Sequence, residues 1–450
     1  MSNNKKTVIT YGTYDMLHVG HLNLLKRAKA LGDYLIVGVT SEDYDRSRGK
    51  LNVSQSTQER IEAIERLDFV DKVILETHKN QKAEDMLKYG VDIFAIGDDW
   101  IGAFDYLKEF THVEYLPRTE GISSTLLREK KFKIIKLGLF GLGRDANRFL
   151  KESIFVPNIE IKSICGDNLA EVESFISSSS TNIEYGYDNC IEFLDTSIDA
   201  VYISTDLKLH SKHIRMALEA NKHVLCENPL AIEKGELEEL FLLAKKKNKL
   251  LLVALKTAFA PAFNQLLKEV ELGTLGEIKE VRASFTKLYK EKGYDKSYYK
   301  HGATNLLLNY PYLLIQKVLG KSDTVSFFDQ CQDGYDISNR VITTHKNSAI
   351  GLATVGIGMK LEGDAMIAGT KGYLYIPAPW WLTKTFYFRF EDTHKSYTFN
   401  YEFEGDGLRY MIAEFSSLIQ RGEIESMRLR VKDMIDINDI IIVYNENRNI

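Results

Sequence analysis

Residues 12–21 read Gly12-Thr-Tyr-Asp-Met-Leu-His-Val-Gly-His21, and they follow the apolar run Val8-Ile9-Thr10-Tyr11. An amphipathic stretch comes next, His21 to Leu31, in which Leu22, Leu24, Leu25 and Ala28 recur at helical spacing. The decapeptide is therefore expected to be a strand-to-helix turn. His18 and His21 are three apart, which puts both imidazoles on one face of the first helical turn, beside backbone N–H groups without intrahelical partners. Gly20 lacks a Cβ and lets a phosphate chain lie against the backbone, and the helix dipole favours negative charge at that end. Such a turn suits a triphosphate.

A second loop, Arg118-Thr-Glu-Gly-Ile-Ser-Ser-Thr125, ends in hydroxyl residues able to cap a helix starting near Leu126, and Arg118 offers a bidentate fork to phosphate. These two segments are joined by Ala28-Lys-Ala-Leu-Gly-Asp-Tyr-Leu-Ile-Val-Gly-Val39, Gly97-Asp-Asp-Trp100 and Leu116-Pro-Arg-Thr-Glu-Gly-Ile-Ser123. On these motifs, residues 5 to about 130 resemble the nucleotidyltransferase superfamily marked by His-x-Gly-His, specifically its glycerol-3-phosphate cytidylyltransferase branch.

That resemblance implies a reaction. A phosphomonoester oxygen of a small polyol phosphate would attack the α-phosphate of CTP in line and expel pyrophosphate, chemistry that needs positioning and charge neutralisation more than a covalent catalyst. By resemblance, His18, His21, Lys50 and Arg118 are the catalytic residues, and Thr13, Tyr14, Asp15, Gly20, Arg60, Asp98, Thr119, Ser124 and Thr125 bind CTP or the acceptor. Lys50, on the loop Arg46-Ser-Arg-Gly-Lys50, and Arg60 would approach the phosphates from outside. Asp15 would help hold the Mg²⁺ that accompanies CTP, through phosphate or water, and no resident metal site is expected. The product would be CDP-glycerol or another CDP-polyol, used for a cell-surface polymer such as teichoic acid or capsule. One departure leaves the acceptor open. The branch commonly places an Arg where this chain has Asp68 in Arg66-Leu-Asp-Phe-Val-Asp71, so glycerol-2-phosphate, a longer polyol phosphate and an amino-alcohol phosphate stand beside glycerol-3-phosphate.

At 450 residues the chain has room for about three compact units, and the first resemblance uses only one of them. A net charge of −5 without a long basic run argues against a nucleic-acid partner. Cys165, Cys190, Cys226 and Cys331 are far apart with no Cys-x-x-Cys, as expected of reduced thiols in a cytoplasmic protein rather than disulfides or a zinc site. Met-Ser-Asn-Asn-Lys-Lys lacks a signal-type apolar region, and no apolar run reaches about 18 residues, so membrane insertion is not expected.

The charged run Arg128-Glu-Lys-Lys131 leads, without a Gly/Ser/Pro linker, into a strand expected from Phe132, which suggests rigid coupling. From Lys136 the sequence reads strand, then Gly141-x-Gly143-x-x-Ala146, then helix, as in a dinucleotide-binding turn. Ile159 to Cys165, Ala200-Val-Tyr-Ile-Ser-Thr205, the helical stretch Ser211 to Ala220 and Lys222-His-Val-Leu-Cys-Glu-Asn-Pro-Leu-Ala231 follow in order. With Pro261-Ala-Phe263, Gly273-Thr-Leu-Gly-Glu-Ile278 and Gly369-Thr-Lys-Gly-Tyr-Leu-Tyr375, this part resembles the glucose-fructose oxidoreductase and inositol dehydrogenase family (Gfo/Idh/MocA).

The expected organisation is α/β. A Rossmann-like nucleotidyltransferase domain spans 1–131, a Rossmann-type NAD(P)-binding-like domain spans 132–256, and an α+β domain with an open, mainly antiparallel sheet spans 257–450 and closes on a helix at about 431–445. The resemblance implies NAD(P) held by Gly141, Gly143, Ala146, Asp167, Glu227 and Asn228, with Tyr310 as the acid. Working members carry Glu-Lys-Pro where this chain has Glu227-Asn228-Pro229, and an Asp where Leu306 stands, and no cation is evident to activate Tyr310. An amide cannot donate a proton as an ammonium does, so lost redox chemistry is the expectation, with a reductase that supplies the acceptor alcohol as the alternative. Members of both families are usually oligomers, and a homo-oligomer is expected.

Overall fold

The computed structural model describes residues 5–17, 19–47, 53, 55–78, 80–117, 133–156, 158–179, 181, 183–231, 233–288, 300–401, 403 and 405–448. They fall into two compact units, Met1–Lys133 and Ile134–Ile450.

The first unit is a five-stranded parallel sheet, β1 (Thr7–Gly12), β2 (Tyr34–Thr40), β3 (Lys72–Glu76), β4 (Ile93–Gly97) and β5 (His112–Leu116), in the order β3-β2-β1-β4-β5. Helices α1 (Val19–Lys29), α2 (Glu42–Ser47), α3 (Thr57–Glu65) and α4 (Gln81–Tyr89) connect the strands. Alternation along each strand sorts its apolar residues between two faces. Val8, Leu35, Val37 and Ile93 bury against Leu25 and Ala28 of α1 and Ile64 of α3. Ile9, Tyr11, Ile36 and Phe94 bury with Met86 of α4 on the other face. Gly12 pairs with Val39, so the chain leaves β1 at the carboxyl edge of the sheet and enters α1 after six residues.

The second unit opens on a six-stranded parallel sheet, β6 (Ile135–Phe140), β7 (Ile159–Cys165), β8 (Tyr185–Tyr187), β9 (Ala200–Ile203), β10 (His223–Cys226) and β11 (Leu251–Val253), in the order β11-β10-β9-β6-β7-β8. Its helices are α5 (Arg144–Ser153), α6 (Leu169–Ser178), α7 (Cys190–Leu194), α8 (His210–Glu219) and α9 (Glu236–Lys246). The described part of the first strand begins three residues later than the expected Phe132, which lies outside the described residues.

After α10 (Pro261–Glu271) come β12 (Ile278–Thr286), α11 (Gly302–Leu307), α12 (Asn309–Leu319), β13 (Thr324–Gln332), β14 (Tyr335–Thr344), β15 (Ile350–Gly356), β16 (Ala365–Gly369), β17 (Gly372–Ile376), β18 (Thr385–Phe390) and β19 (Tyr397–Asn400). These eight strands form one sheet, β13-β14-β15-β12-β16-β17-β18-β19, antiparallel except where β12 runs parallel to β15. Helix α12 packs across β12 and β15 through the buried Leu313, Leu314 and Ile315. Two helices, α13 (Leu408–Arg421) and α14 (Val431–Arg448), end the unit, the second three residues longer than expected.

Candidate functional sites

In the first sheet the connections reverse direction between β1 and β4, which opens a crevice beyond the carboxyl ends of those strands. The turn after β1 and Asp98, the first residue after β4, both lie at this edge, and β5 leads through Pro117 toward the second loop. Helix α1 begins at Val19, so Gly20 and His21 occupy its first turn, where backbone N–H groups point out of the helix. His18, Lys50, Arg118, Thr119, Ser124 and Thr125 lie outside the described residues.

The turn itself is held from several sides. Thr13 Oγ1 donates to Asp45 Oδ1 at 2.7 Å, Gln55 N donates to Asp15 Oδ1 at 3.0 Å, and Met16 N donates to Gln55 Oε1 at 2.6 Å. Tyr14 has φ +52° and is buried, with its ring edge-on to His21 at 5.5 Å. Burial pushes the Tyr14 hydroxyl well above its usual range, so the ring positions His21 and is not itself a proton donor at neutral pH.

Arg60 departs from its expected role. It has no exposed surface and donates from Nη1 to the carbonyls of Thr13 at 2.8 Å and Thr40 at 2.7 Å, from Nε to Gln55 O at 3.2 Å, and from Nη2 to Thr57 Oγ1 at 3.2 Å. Asp45 faces it at 3.4 Å. It does not reach phosphates from outside; it braces the turn from within. A capping box between Ser56 and Glu59 starts α3 and fixes where Arg60 enters. Asp45 and Gln55 were not singled out from the sequence; their only signal is polarity in a region that reads as loop. Asp68 is exposed, and Arg66 pairs with Glu62 at 3.8 Å on the surface.

In the second unit Gly141 and Gly143 have φ +112° and +103°. A Cβ on Gly141 would stand 2.8 Å from the Ser204 backbone, whereas one on Gly143 would meet nothing within 4 Å, so the backbone at Gly143 is open to a close ligand. Ala146, in the first turn of α5, is fully buried. These three residues fit a dinucleotide pyrophosphate at the N-terminus of α5. Asp167 is exposed just beyond β7, where a ribose would lie.

Glu227, just after β10, accepts a 2.5 Å hydrogen bond from the Tyr202 hydroxyl. Burial, then the nearby Asp145 charge, pushes its carboxyl up to about 7. Asn228 Oδ1 accepts from Asn309 Nδ2 at 3.3 Å, so an amide pair stands where working members place an ammonium. Tyr310 stacks on Phe285 at 4.7 Å, and Trp381 meets the same ring edge-on at 4.2 Å.

The expectation that no cation lies near Tyr310 is overturned. The Tyr310 hydroxyl interacts electrostatically with Arg148, and Lys287 Nζ lies 4.9 Å from the Phe285 ring centre. Arg148 Nη2 lies 2.6 Å from Asp406 Oδ2 and its Nη1 3.1 Å from Asp145 Oδ1, while Lys256 bonds the Asp406 carbonyl. Burial and Arg148 push Lys256 down to about 8; burial, with Arg144 and Arg148, pushes Lys287 down to about 7. A lone Lys in each of Ala254-Leu-Lys-Thr257 and Ser284-Phe-Thr-Lys287 was the only sequence signal.

Comparison with known proteins agrees with both halves. Residues 9–130 match the cytidylyltransferase-like family, and residues 135–255 match the oxidoreductase family with an NAD-binding Rossmann fold. The glycerol-3-phosphate cytidylyltransferase of Bacillus subtilis (strain 168) is 46% identical over 125 residues, 28% of this chain and 96% of that one. The chain therefore belongs to the cytidylyltransferase-like family and carries, after that domain, a domain of the Gfo/Idh/MocA oxidoreductase family. It is a nucleotidyltransferase. Trans-1,2-dihydrobenzene-1,2-diol dehydrogenase of Danio rerio is 27% identical over 299 residues, 63% of this chain and 86% of that one. Among solved structures, a 3-ketoreductase from Actinomadura kijaniata with NADP and TDP-benzene superposes with a TM-score of 0.59 at 21% identity, covering 68% of this chain and 95% of that one. Levoglucosan dehydrogenase with NADH and L-sorbose gives 0.63 at 18%, covering 70% and 97%. At those identities they share the fold of the second unit.

Among the described residues no three His, Cys, Asp or Glu side chains gather as a metal site, and no helix is long and apolar enough to cross a membrane.

Proposed function

We propose that the first unit joins CTP and a small polyol phosphate, glycerol-3-phosphate or a close relative, into a CDP-polyol with release of pyrophosphate. The observation that carries this reading is the Thr13–His21 turn, braced by Arg60, Asp45 and Gln55 at the switch-point crevice. Within it, His21 and His18 would stabilise charge growing on the α-phosphate and bridging oxygen, Lys50 and Arg118 would neutralise the flanking phosphates, and Thr119, Ser124 and Thr125 would hold the β/γ end. Mg²⁺ would arrive with CTP. The CDP-polyol suits a cell-surface polymer such as teichoic acid or capsule, made in the cytoplasm by a homo-oligomer. The second unit would bind NAD(P) at Gly141, Gly143 and Ala146 and transfer hydride poorly, because Asn228 and Leu306 replace ionisable groups. The three domains would divide near 131 and 256.

The test is pyrophosphate release from CTP with glycerol-3-phosphate, glycerol-2-phosphate and longer polyol phosphates in turn. Turnover with at least one of them and none with ATP is expected; turnover with ATP at the CTP rate, or with no acceptor of this class, would overturn the reading.

A second reading, in which the second unit reduces a carbonyl precursor to the acceptor alcohol, is favoured by one observation: the Tyr310 hydroxyl interacts electrostatically with Arg148, a cation able to lower a phenol pKa.

A further inference from the structure

The two nicotinamide dinucleotides differ only at the 2′ position of the adenosine ribose, so the groups that meet that position choose between them. In this chain the ends of β7 and β8 build the place. Phe140, the last residue of β6, pairs with Cys165 of β7, and Gly141 N donates to Cys165 O at 2.9 Å, so the glycine turn lies directly against the end of β7. Leu142, between the two glycines, packs on Gly166, where an added Cβ would stand 2.7 Å from Leu142 Cδ1. Cys165 pairs in turn with Tyr187 of β8, and Gly166 N donates to Tyr187 O at 3.0 Å. The next residue on each of these two strand ends is an aspartate, Asp167 and Asp188. Both are exposed, and among the described residues neither carboxylate has a hydrogen bond or ion pair. Their neighbours do the capping: Asn168 Oδ1 accepts from Glu171 N at 2.9 Å at the start of α6, and Asn189 Oδ1 accepts from Ile191 N at 2.9 Å at the start of α7. Neither helix needs the aspartates. Burial, with Cys190 and both aspartates, pushes the Cys165 thiol up to about 12. The ring that Asp167 acts on adds no compensating charge: His213 stacks on Phe140 at 4.2 Å, its Nδ1 lies 3.0 Å from Thr205 Oγ1, and burial, then the Lys212 charge, pushes it down to about 4. Lys212 itself stands on α8, which follows β9, on the opposite side of β6 from β7.

We propose that the second unit selects NAD(H) over NADP(H), with Asp167 accepting hydrogen bonds from the adenosine ribose hydroxyls and Asp188 adding negative charge where a 2′-phosphate would stand. The assignment rests on the reading of the Gly141–Ala146 turn as a dinucleotide site and goes beyond it by naming the dinucleotide. It concerns binding, so it holds whether hydride transfer is fast or slow. An ionised carboxylate only accepts hydrogen bonds, and the two hydroxyls of an unmodified ribose supply donors to it. A 2′-phosphate carries about −1.5 to −2 of charge at pH 7, offers chiefly acceptors and would face two carboxylates at adjacent strand ends.

Full-length protein, saturated with CTP so that the first unit's crevice is occupied, is titrated with NADH and NADPH by nicotinamide fluorescence, and with ADP-ribose and its 2′-phosphate by calorimetry. NADH should bind about tenfold or more tightly than NADPH, as expected for a lost charge-assisted hydrogen bond and a like-charge encounter, and ADP-ribose should show the same preference over its 2′-phosphate. Both preferences should narrow as ionic strength rises, because repulsion between exposed charges is screened. Asp167→Arg should reverse the order, which also locates the binding in the second unit, and Asp188→Asn should narrow it. Melting should stay unchanged in both variants. Equal or tighter binding of NADPH by the unmodified protein, an order unchanged in Asp167→Arg, or a preference indifferent to salt would overturn the proposal and leave the dinucleotide site standing. Binding of neither dinucleotide would overturn that reading and the proposal together.

Discussion

Arg60 Nη1 lies 2.8 Å from the carbonyl oxygen of Thr13, so a guanidinium with no exposed surface supports the first residue of the nucleotide turn from inside the fold. Arg60→Ala would leave the carbonyls of Thr13 and Thr40 and the buried Asp45 carboxylate without their shared donor. Removing one partner of a buried ion pair typically costs about 3–5 kcal/mol. The expected result is a lower unfolding midpoint with transferase activity lost in proportion to unfolded protein. A residue that only touched phosphate would instead change KM or kcat and leave the midpoint alone.

His21→Ala and His18→Ala should behave in the opposite way. If both imidazoles stabilise charge that grows in the transition state, kcat should fall by about 10²-fold or more with little change in melting. Pyrophosphate release followed beside circular dichroism decides it, and near-normal turnover in either folded variant would remove that imidazole from catalysis.

Glu227 gives a pH signature. Its folded pKa, about 7, lies above the ordinary carboxylate value of 4.5, so its contribution to stability is fully present below 4.5 and is lost as pH rises through 7. Glu227→Gln keeps an acceptor for the Tyr202 hydroxyl and cannot ionise. Between pH 5 and pH 8 the unmodified second unit should therefore lose more thermal stability than the Glu227→Gln protein. Parallel melting curves across that window would show that the carboxyl is not held as described.

The Asn228–Asn309 pair predicts the redox outcome. Unmodified protein should bind NADH yet oxidise it with dihydroxyacetone phosphate or ribulose-5-phosphate only slowly, since losing a general acid typically forfeits about 10²–10⁴ in rate. Asn228→Lys should raise the rate of absorbance loss at the nicotinamide band. Steady oxidation at enzyme-like rates without the substitution would mean that Tyr310, beside Arg148, is acid enough.

What could be read from the sequence is what local periodicity and turn chemistry determine. Val8-Ile9 followed by a polar turn and the Leu25 and Ala28 spacing define β1 and α1, and the Gly141 and Gly143 turn appears where the glycines require it. The supports of each site were not legible, because their partners are remote in sequence. Asp45 meets Thr13 across 32 residues, and Asp406 meets Arg148 across 258. Arg60 was misjudged for the same reason: a cation near a phosphate loop reads as a ligand until its donors are seen to end on backbone carbonyls.

The contacts between α5 and the start of α13 reach further than the site itself. Arg409 Nε and Nη2 meet the two oxygens of Glu152 at 2.9 and 3.1 Å, one turn beyond the Arg148 pair with Asp406. The helix that begins at the dinucleotide turn is thus riveted to chain made some 250 residues later. A nascent polypeptide stopped near residue 256 would have its parallel sheet but would leave Glu152 unmatched until the C-terminal segment is synthesised. The two sheets of the second unit are thus not two independent folders, and the dinucleotide turn would mature only when translation is nearly complete.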